Sequence, residues 1–205
     1  MATQAKTDSL RRRPQQRRSR DTVESVLDAV IRILKREGPG AVTTNRIAEV
    51  AGVSIGSVYQ YFPDKRAIFG ALHERHIQEI DRMVQSTLVE HAGSSLEELM
   101  RAMIEAMIDA HRADPELFEL LLTVMPHRVD GQREFAVRLH GAFLLAISSR
   151  RRELKKGRDL DAAAFVVTHM VDALSHGAIL RRPAGLSLSN AKEEIVRAVL
   201  AYLRD

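Results

Sequence analysis

Between Thr43 and Lys65 the chain reads TTNRIAEVAGVSIGSVYQYFPDK, and polar side chains recur there at a spacing suited to gripping a polyanion. Ser54, Ser57, Tyr59, Gln60, Tyr61 and Lys65 offer hydroxyls, an amide and an ammonium, groups that donate to phosphate oxygens or to base edges. Other chemistries find less support. The 205 residues contain no cysteine, which removes thiol nucleophiles, disulfides and thiolate-held zinc. No Gly-rich phosphate loop or nucleophile motif occurs, so neither an enzymatic activity nor a cofactor is expected. His73 with His76, and His169 with Asp172 and His176, fall at helical spacing. Imidazoles satisfied by their neighbours are commoner than ligands, however, and no metal site is expected.

The elements that must position the polar groups follow from the apolar ones. Ile47, Ala48 and Ala51 make a helical stripe that stops at Gly52, a residue free to adopt a left-handed turn. Val53 can then plug the space between two helices. Ser54 can cap the second helix, and Val58 and Phe62, four apart, face inward. The opposite face of that second helix carries Ile55, Gly56, Ser57, Tyr59 and Gln60, mostly small or hydrogen-bonding residues that fit a major groove.

The run AGVSIGSVYQYFPDK, with Thr43 and Thr44 opening the helix before it, resembles the DNA-binding signature of TetR-type transcriptional regulators. The resemblance runs from Asp21 to roughly Leu72; the remainder resembles the family in length, helical pattern and position after the motif. Residue by residue, it implies that Thr44, Ser57, Tyr61 and Lys65 hold phosphates, and that Ile55, Gly56, Tyr59 and Gln60 approach bases or the backbone beside them. With Thr43 and Ser54 at the two helix starts, these form the expected DNA-binding set. An all-α architecture is implied: an N-terminal three-helix helix-turn-helix domain, then a helical ligand-binding and dimerisation domain.

Charge follows the same division. Residues 1 to 66 hold thirteen lysines and arginines against seven aspartates and glutamates, a net of +6, whereas residues 67 to 205 carry a net of −2. A polyanion-binding end needs that asymmetry, because neutralising phosphates releases condensed counterions. RRRPQQRRSR, Arg11 to Arg20, lacks apolar periodicity and is predicted to be a disordered arm. It could enter a minor groove, track the backbone or simply be solvated.

Domain limits follow: arm 1–20, DNA-binding domain 21–68, effector-binding and dimerisation domain 69–205. Helical spacing predicts a helix from Asp21 to Gly38-Pro39, a long one from Pro63-Asp64 to about His91, and segments over Leu96 to Arg112, Pro115 to Met125, Gln132 to Lys156, Leu160 to Arg181 and Ser189 to Arg204. No apolar run reaches the roughly 18 residues of a membrane span. A soluble, cytoplasmic, nucleoid-associated protein with no membrane partner is expected. The basic run Arg150 to Arg158 reads as a solvated helix end.

In the C-terminal domain a Met-rich apolar set could line an effector pocket: Met100, Met103, Met107, Phe118, Leu121, Met125, Phe143, Ile147 and Phe165, with His169 beside them. Ordinary core packing produces the same stripes. An apolar or aromatic effector is expected. Ala173, Gly177 and Ala178, with Ile195, Val199 and Leu203 on the last helix, would form a two-fold dimer seam. The sequence thus predicts a homodimeric DNA-binding regulator, a repressor released from a pseudo-palindromic operator by a small molecule. A same-fold adaptor that senses a protein partner is the alternative.

Overall fold

Proline, glycine and short polar caps punctuate the chain, and helices fill the intervals. The computed structural model describes residues 17–124 and 130–205, and side chains within 19–121 and 133–205. Among them every regular element is helical. In order they are α1 (Arg17–Glu37), α2 (Thr44–Ala51), α3 (Ile55–Tyr61), α4 (Lys65–Glu90), α5 (Leu96–Arg112), α6 (Pro115–Val124), α7 (Asp130–Ser148), α8 (Leu160–Leu180) and α9 (Leu188–Arg204), with 3-10 turns at Pro39–Ala41 and Arg151–Glu153. Met125 and residues 1–16 of the expected arm lie outside the described residues.

The helices form two compact units, divided within α4 between His76 and Ile77. The first comprises the chain up to His76 and α6 from Glu116. Its core joins Val26, Val30, Ile33 and Leu34 of α1 to Ile47 of α2, Val58 and Phe62 around α3, Ile68 and Leu72 of α4, and Leu117 and Leu121 of α6. Apolar residues three and four apart on each helix supply the stripe that makes this possible. Arg75 of α4 pairs with Glu24 and Asp28 of α1 at 3.0 and 2.8 Å, along the edge of the core. α1 begins at Arg17, a turn ahead of the expected start at Asp21. Arginine is a good helix former, and the chain holds no proline between Pro14 and Asp21 to prevent it.

The second unit holds the rest of α4 with α5, α7, α8 and α9. Ser95 and Glu98 form a reciprocal capping box at the start of α5, while Asp159 and Ser187 cap α8 and α9. Leu99, Met103, Ile104, Phe143, Ile147, Val167, Val171, Val196 and Val199 fill its interior. Among the described helices α8 alone is long and apolar enough by composition to cross a membrane. Its inward stripe, Ala163, Ala164, Val167, Val171 and Ala178, is part of this core.

α7 stops at Ser148, short of the Lys156 expected from sequence, because Arg150 turns inward. Only 8% exposed, its guanidinium donates to the carbonyls of His91, Ala92 and Ser94 just beyond α4, at 2.6, 3.2 and 2.8 Å. The expected solvated helix end is corrected at this residue: Arg150 is a buried clamp. Arg151, Arg152, Lys155 and Lys156 are exposed.

Candidate nucleic-acid interface

Local chemistry fixes the geometry of α2, the turn and α3. Thr43, extended at φ −119°, accepts a hydrogen bond on its hydroxyl from the Arg46 amide and starts α2. Gly52 ends α2 in the left-handed region at φ 69°, ψ 30°, with its N–H returned to the carbonyls of Ala48 and Glu49. Val53 donates to the Ala48 carbonyl at 3.0 Å, which tightens the turn. The Ser54 hydroxyl then accepts from the Ser57 amide at 3.0 Å and pairs with the Ser57 hydroxyl at 2.8 Å.

α3 therefore has two defined faces. Val58 is fully buried and Phe62 nearly so, while Ile55 and Tyr59 are 39% and 43% exposed and Gly56 and Gln60 are exposed beside them. Thr44 Oγ1 lies 3.3 Å from the Tyr59 hydroxyl, tying the start of α2 to the outer face of α3. A Cβ on Gly56 would meet only Ser54 Oγ, at 3.7 Å, so nothing inside the fold demands glycine there. Lys65 opens α4, and its ammonium sits 5.3 Å from the Phe69 ring centre.

Tyr61, which the resemblance implies holds a phosphate, turns inward. Its ring is 7% exposed and packs in the core, and its hydroxyl donates to Ser19 Oγ in the first turn of α1. The reason is spacing, since Tyr61 follows Val58 by three and shares its inward face. Sequence reasoning missed Ser19, because it treated residues before Asp21 as an arm. The expected set Thr43, Thr44, Ser54, Ile55, Gly56, Ser57, Tyr59, Gln60 and Lys65 is gathered on α2, α3 and the start of α4, with the Tyr61 hydroxyl at the α1 end. Arg46 of α2 is held by Glu37 and Glu49 at 2.7 Å each. The same hydrogen bond keeps the Glu37 carboxyl below its usual value.

The expected pocket residues separate. Met100, Met103, Met107, Phe143 and Ile147 are at most 2% exposed inside the second unit, whereas Leu121 belongs to the core of the first and Phe118, 6% exposed, lies in that same unit. Phe165 is corrected outright. It is 55% exposed and lies with His169 on the outer face of α8, their rings 4.2 Å apart and His169 Nδ1 donating to the Phe165 carbonyl at 2.7 Å. α8 is apolar almost all round, so its periodicity did not assign an inner face.

The expected dimer seam divides in the same way. Ile195, Val199 and Leu203 are 6%, 0% and 0% exposed because α9 packs this stripe into its own protomer, flanked by the Lys192–Glu105, Arg101–Glu193 and Arg204–Glu97 pairs with α5. Ala178 is buried as well. Ala173 stays exposed and Gly177 half-buried on α8, near Phe165, Leu174 and His169 on the outer part of that helix. Val137 and Leu145 of α7 are 66% and 62% exposed.

Comparison with known proteins matches residues 26–72 to the family described as bacterial regulatory proteins, tetR family, and residues 95–203 to the tetracyclin repressor-like C-terminal domain. The nucleoid occlusion factor SlmA of Haemophilus ducreyi is 32% identical over 99 residues, 48% of this chain and 48% of its own. The HTH-type transcriptional regulator AcrR of Shigella flexneri is 26% identical over 122 residues, 58% of this chain and 54% of its own. The chain thus spans about half the length of the curated relatives it matches. In fold it is similar to SmeT, the repressor of the Stenotrophomonas maltophilia multidrug efflux pump SmeDEF, with a TM-score of 0.67 at 23% identity over 90% of this chain and 93% of that one.

Proposed function

From the premise that the chain belongs to the tetR family of bacterial regulatory proteins, we propose that it is a cytoplasmic, homodimeric repressor that binds a pseudo-palindromic operator and releases it when a small molecule occupies its C-terminal domain. The observation that carries the DNA-binding part is α3: a capped helix anchored by Val58 and Phe62, presenting Ile55, Gly56, Tyr59 and Gln60 outward. Gly56 leaves backbone accessible on that face, where a base pair or phosphate would approach.

Lys65, Thr44 and Ser57 supply phosphate contacts around α3, and the net +6 of residues 1 to 66 supplies the sequence-independent attraction. Tyr61 acts at one remove, by fastening Ser19 and the first turn of α1. One seven-residue helix reads few bases, so a two-fold pair would read two half-sites at a spacing set by the protein. The DNA-binding domain comprises 21–68, with 1–20 before it, and 69–205 carry effector binding and dimerisation. α4 runs from one function to the other. An effector that prefers the DNA-incompetent arrangement shifts the population towards it; a coupling of about 1–3 kcal/mol changes operator affinity roughly 5- to 150-fold.

Selection of bound sequences from a random duplex pool at near-physiological salt tests the reading. An inverted repeat is expected. Salt-sensitive binding without any recovered motif would overturn sequence-specific repression and favour the adaptor role that the likeness to a nucleoid occlusion factor raises.

A further inference from the structure

Thr168 and Ser175 lie on the buried stripe of α8 in the second unit, and His111 of α5 meets His176 of α8. His111, 2% exposed at the end of α5, donates from Nδ1 to the Met107 carbonyl at 2.6 Å. That fixes its Nε2 as an acceptor, 3.0 Å from Nε2 of His176, which therefore donates. Asp172 Oδ1 lies 3.4 Å from the same His176 nitrogen. Burial, and for His111 also its neighbour His176, pushes both imidazoles down to about 4, so the pair is neutral at physiological pH. Ser175 and Thr168, 0% and 6% exposed, have buried hydroxyls with no hydrogen-bond partner.

Such hydroxyls are costly in an interior, because each forfeits water without replacement. These two share the buried stripe of Ala164, Val171 and Ala178, seven residues apart and thus about 10 Å along the helix. α5 packs beside α8 and contributes Met100, Met103 and Met107 to the same core, unbranched side chains that repack and favour aromatic edges. Among the described residues no group of three or more histidines, cysteines or acids is arranged to hold a metal, so an organic ligand fits better than an ion.

We propose that the seam between α5 and α8 binds an elongated, uncharged aromatic molecule with a hydroxyl at each end, one meeting Ser175 beside the His111–His176 pair and the other meeting Thr168. This rests on the effector reading above and names its site and ligand class. A hydroxyl is the complement because Ser175 and Thr168 each present a group that both donates and accepts. A charged group is disfavoured by the neutral pair and the apolar surroundings.

Calorimetric titration of the full chain with 4,4′-dihydroxybiphenyl, 4-hydroxybiphenyl and biphenyl tests it. Affinity should fall by about tenfold with each hydroxyl removed. Ser175→Ala and Thr168→Val should each erase one step while leaving biphenyl binding unchanged. In the free protein both variants should keep or raise Tm, since each deletes an unpartnered hydroxyl. Equal affinity for the three probes, no binding of any, or a lower Tm in either free variant would overturn the site. The regulator reading is tested separately by operator affinity of the ligand-free variants. Unchanged sequence-specific binding keeps that reading when the site fails, and loss of all sequence preference in wild type overturns it whatever the calorimetry shows.

Discussion

Tyr61 and Ser19 are joined by a hydrogen bond of 3.1 Å across 42 residues of chain, so the inner side of α3 holds the first turn of α1. The hydroxyl that the resemblance assigns to a phosphate is engaged with a neighbouring segment rich in arginine.

Tyr61→Phe should consequently weaken binding to operator and random duplexes alike. One neutral hydrogen bond contributes about 0.5–1.5 kcal/mol, which corresponds to roughly 2- to 12-fold in affinity if the first turn of α1 contacts DNA. Fluorescence anisotropy on both duplexes measures it, and an effect confined to the operator would place Tyr61 on bases instead.

Lys65 and Gln60 should separate by role. Lys65→Ala should lower affinity for every sequence and reduce the slope of log affinity against log salt by about one, while Gln60→Ala should relax preference at defined operator positions with the slope unchanged. Titrations at four salt concentrations distinguish the two, and identical behaviour of both variants would refute the division.

The turn was legible in the sequence because its work is local: Gly52 needs only its own φ, and Ser54 reaches an amide three residues away. What was illegible depended on distance or on symmetry. Arg150 looked like surface charge, since nothing in a run of basic residues says that one guanidinium will find three carbonyls beyond α4. The stripe Ile195, Val199 and Leu203 was equally suited to its own protomer or to a partner, because both environments select the same side chains. Only the placement of α5 and α8 beside it decides. Phe165 was assigned inward for the related reason that α8 offers no clear polar face.

Arg150→Met should destabilise the second unit. It removes a buried, charge-assisted donor and leaves the carbonyls of His91, Ala92 and Ser94 short of partners, an expected loss of about 3 kcal/mol. Lysine keeps the charge but not the fork, so Arg150→Lys should fall between the two. Urea denaturation of both variants checks the order.

Acid should weaken the fold through the buried imidazoles. His111 and His176 are depressed from 6.5 to about 4, so between those values the unfolded chain binds protons that the folded chain refuses. Stability is fully present above pH 6.5 and falls as pH drops towards 4, by at most about 1.4 kcal/mol per pH unit for each imidazole. Asp172, raised from 3.8 by burial, works in the opposite direction near the acid end of that window. Replacing both histidines by glutamine should flatten unfolding free energy between pH 7 and 5, and an unchanged slope would show that other groups carry it.

The outer face of α8 is where a second copy should dock, because the stripe on α9 is already used inside the protomer. Phe165, Leu174, Ala173 and Gly177 leave apolar and small side chains at the surface of a helix that is otherwise apolar. Small residues let two such helices approach closely, and a bulky charge there has no partner and cannot be desolvated cheaply. Ala173→Arg should therefore give a monomer in sedimentation equilibrium at micromolar concentration, with helical content intact because the site is exposed. Operator affinity should fall more than affinity for a single half-site, since only the dimer gains from the second recognition helix. A variant that stays dimeric would move the seam elsewhere, with the exposed Val137 and Leu145 of α7 the next surface to substitute.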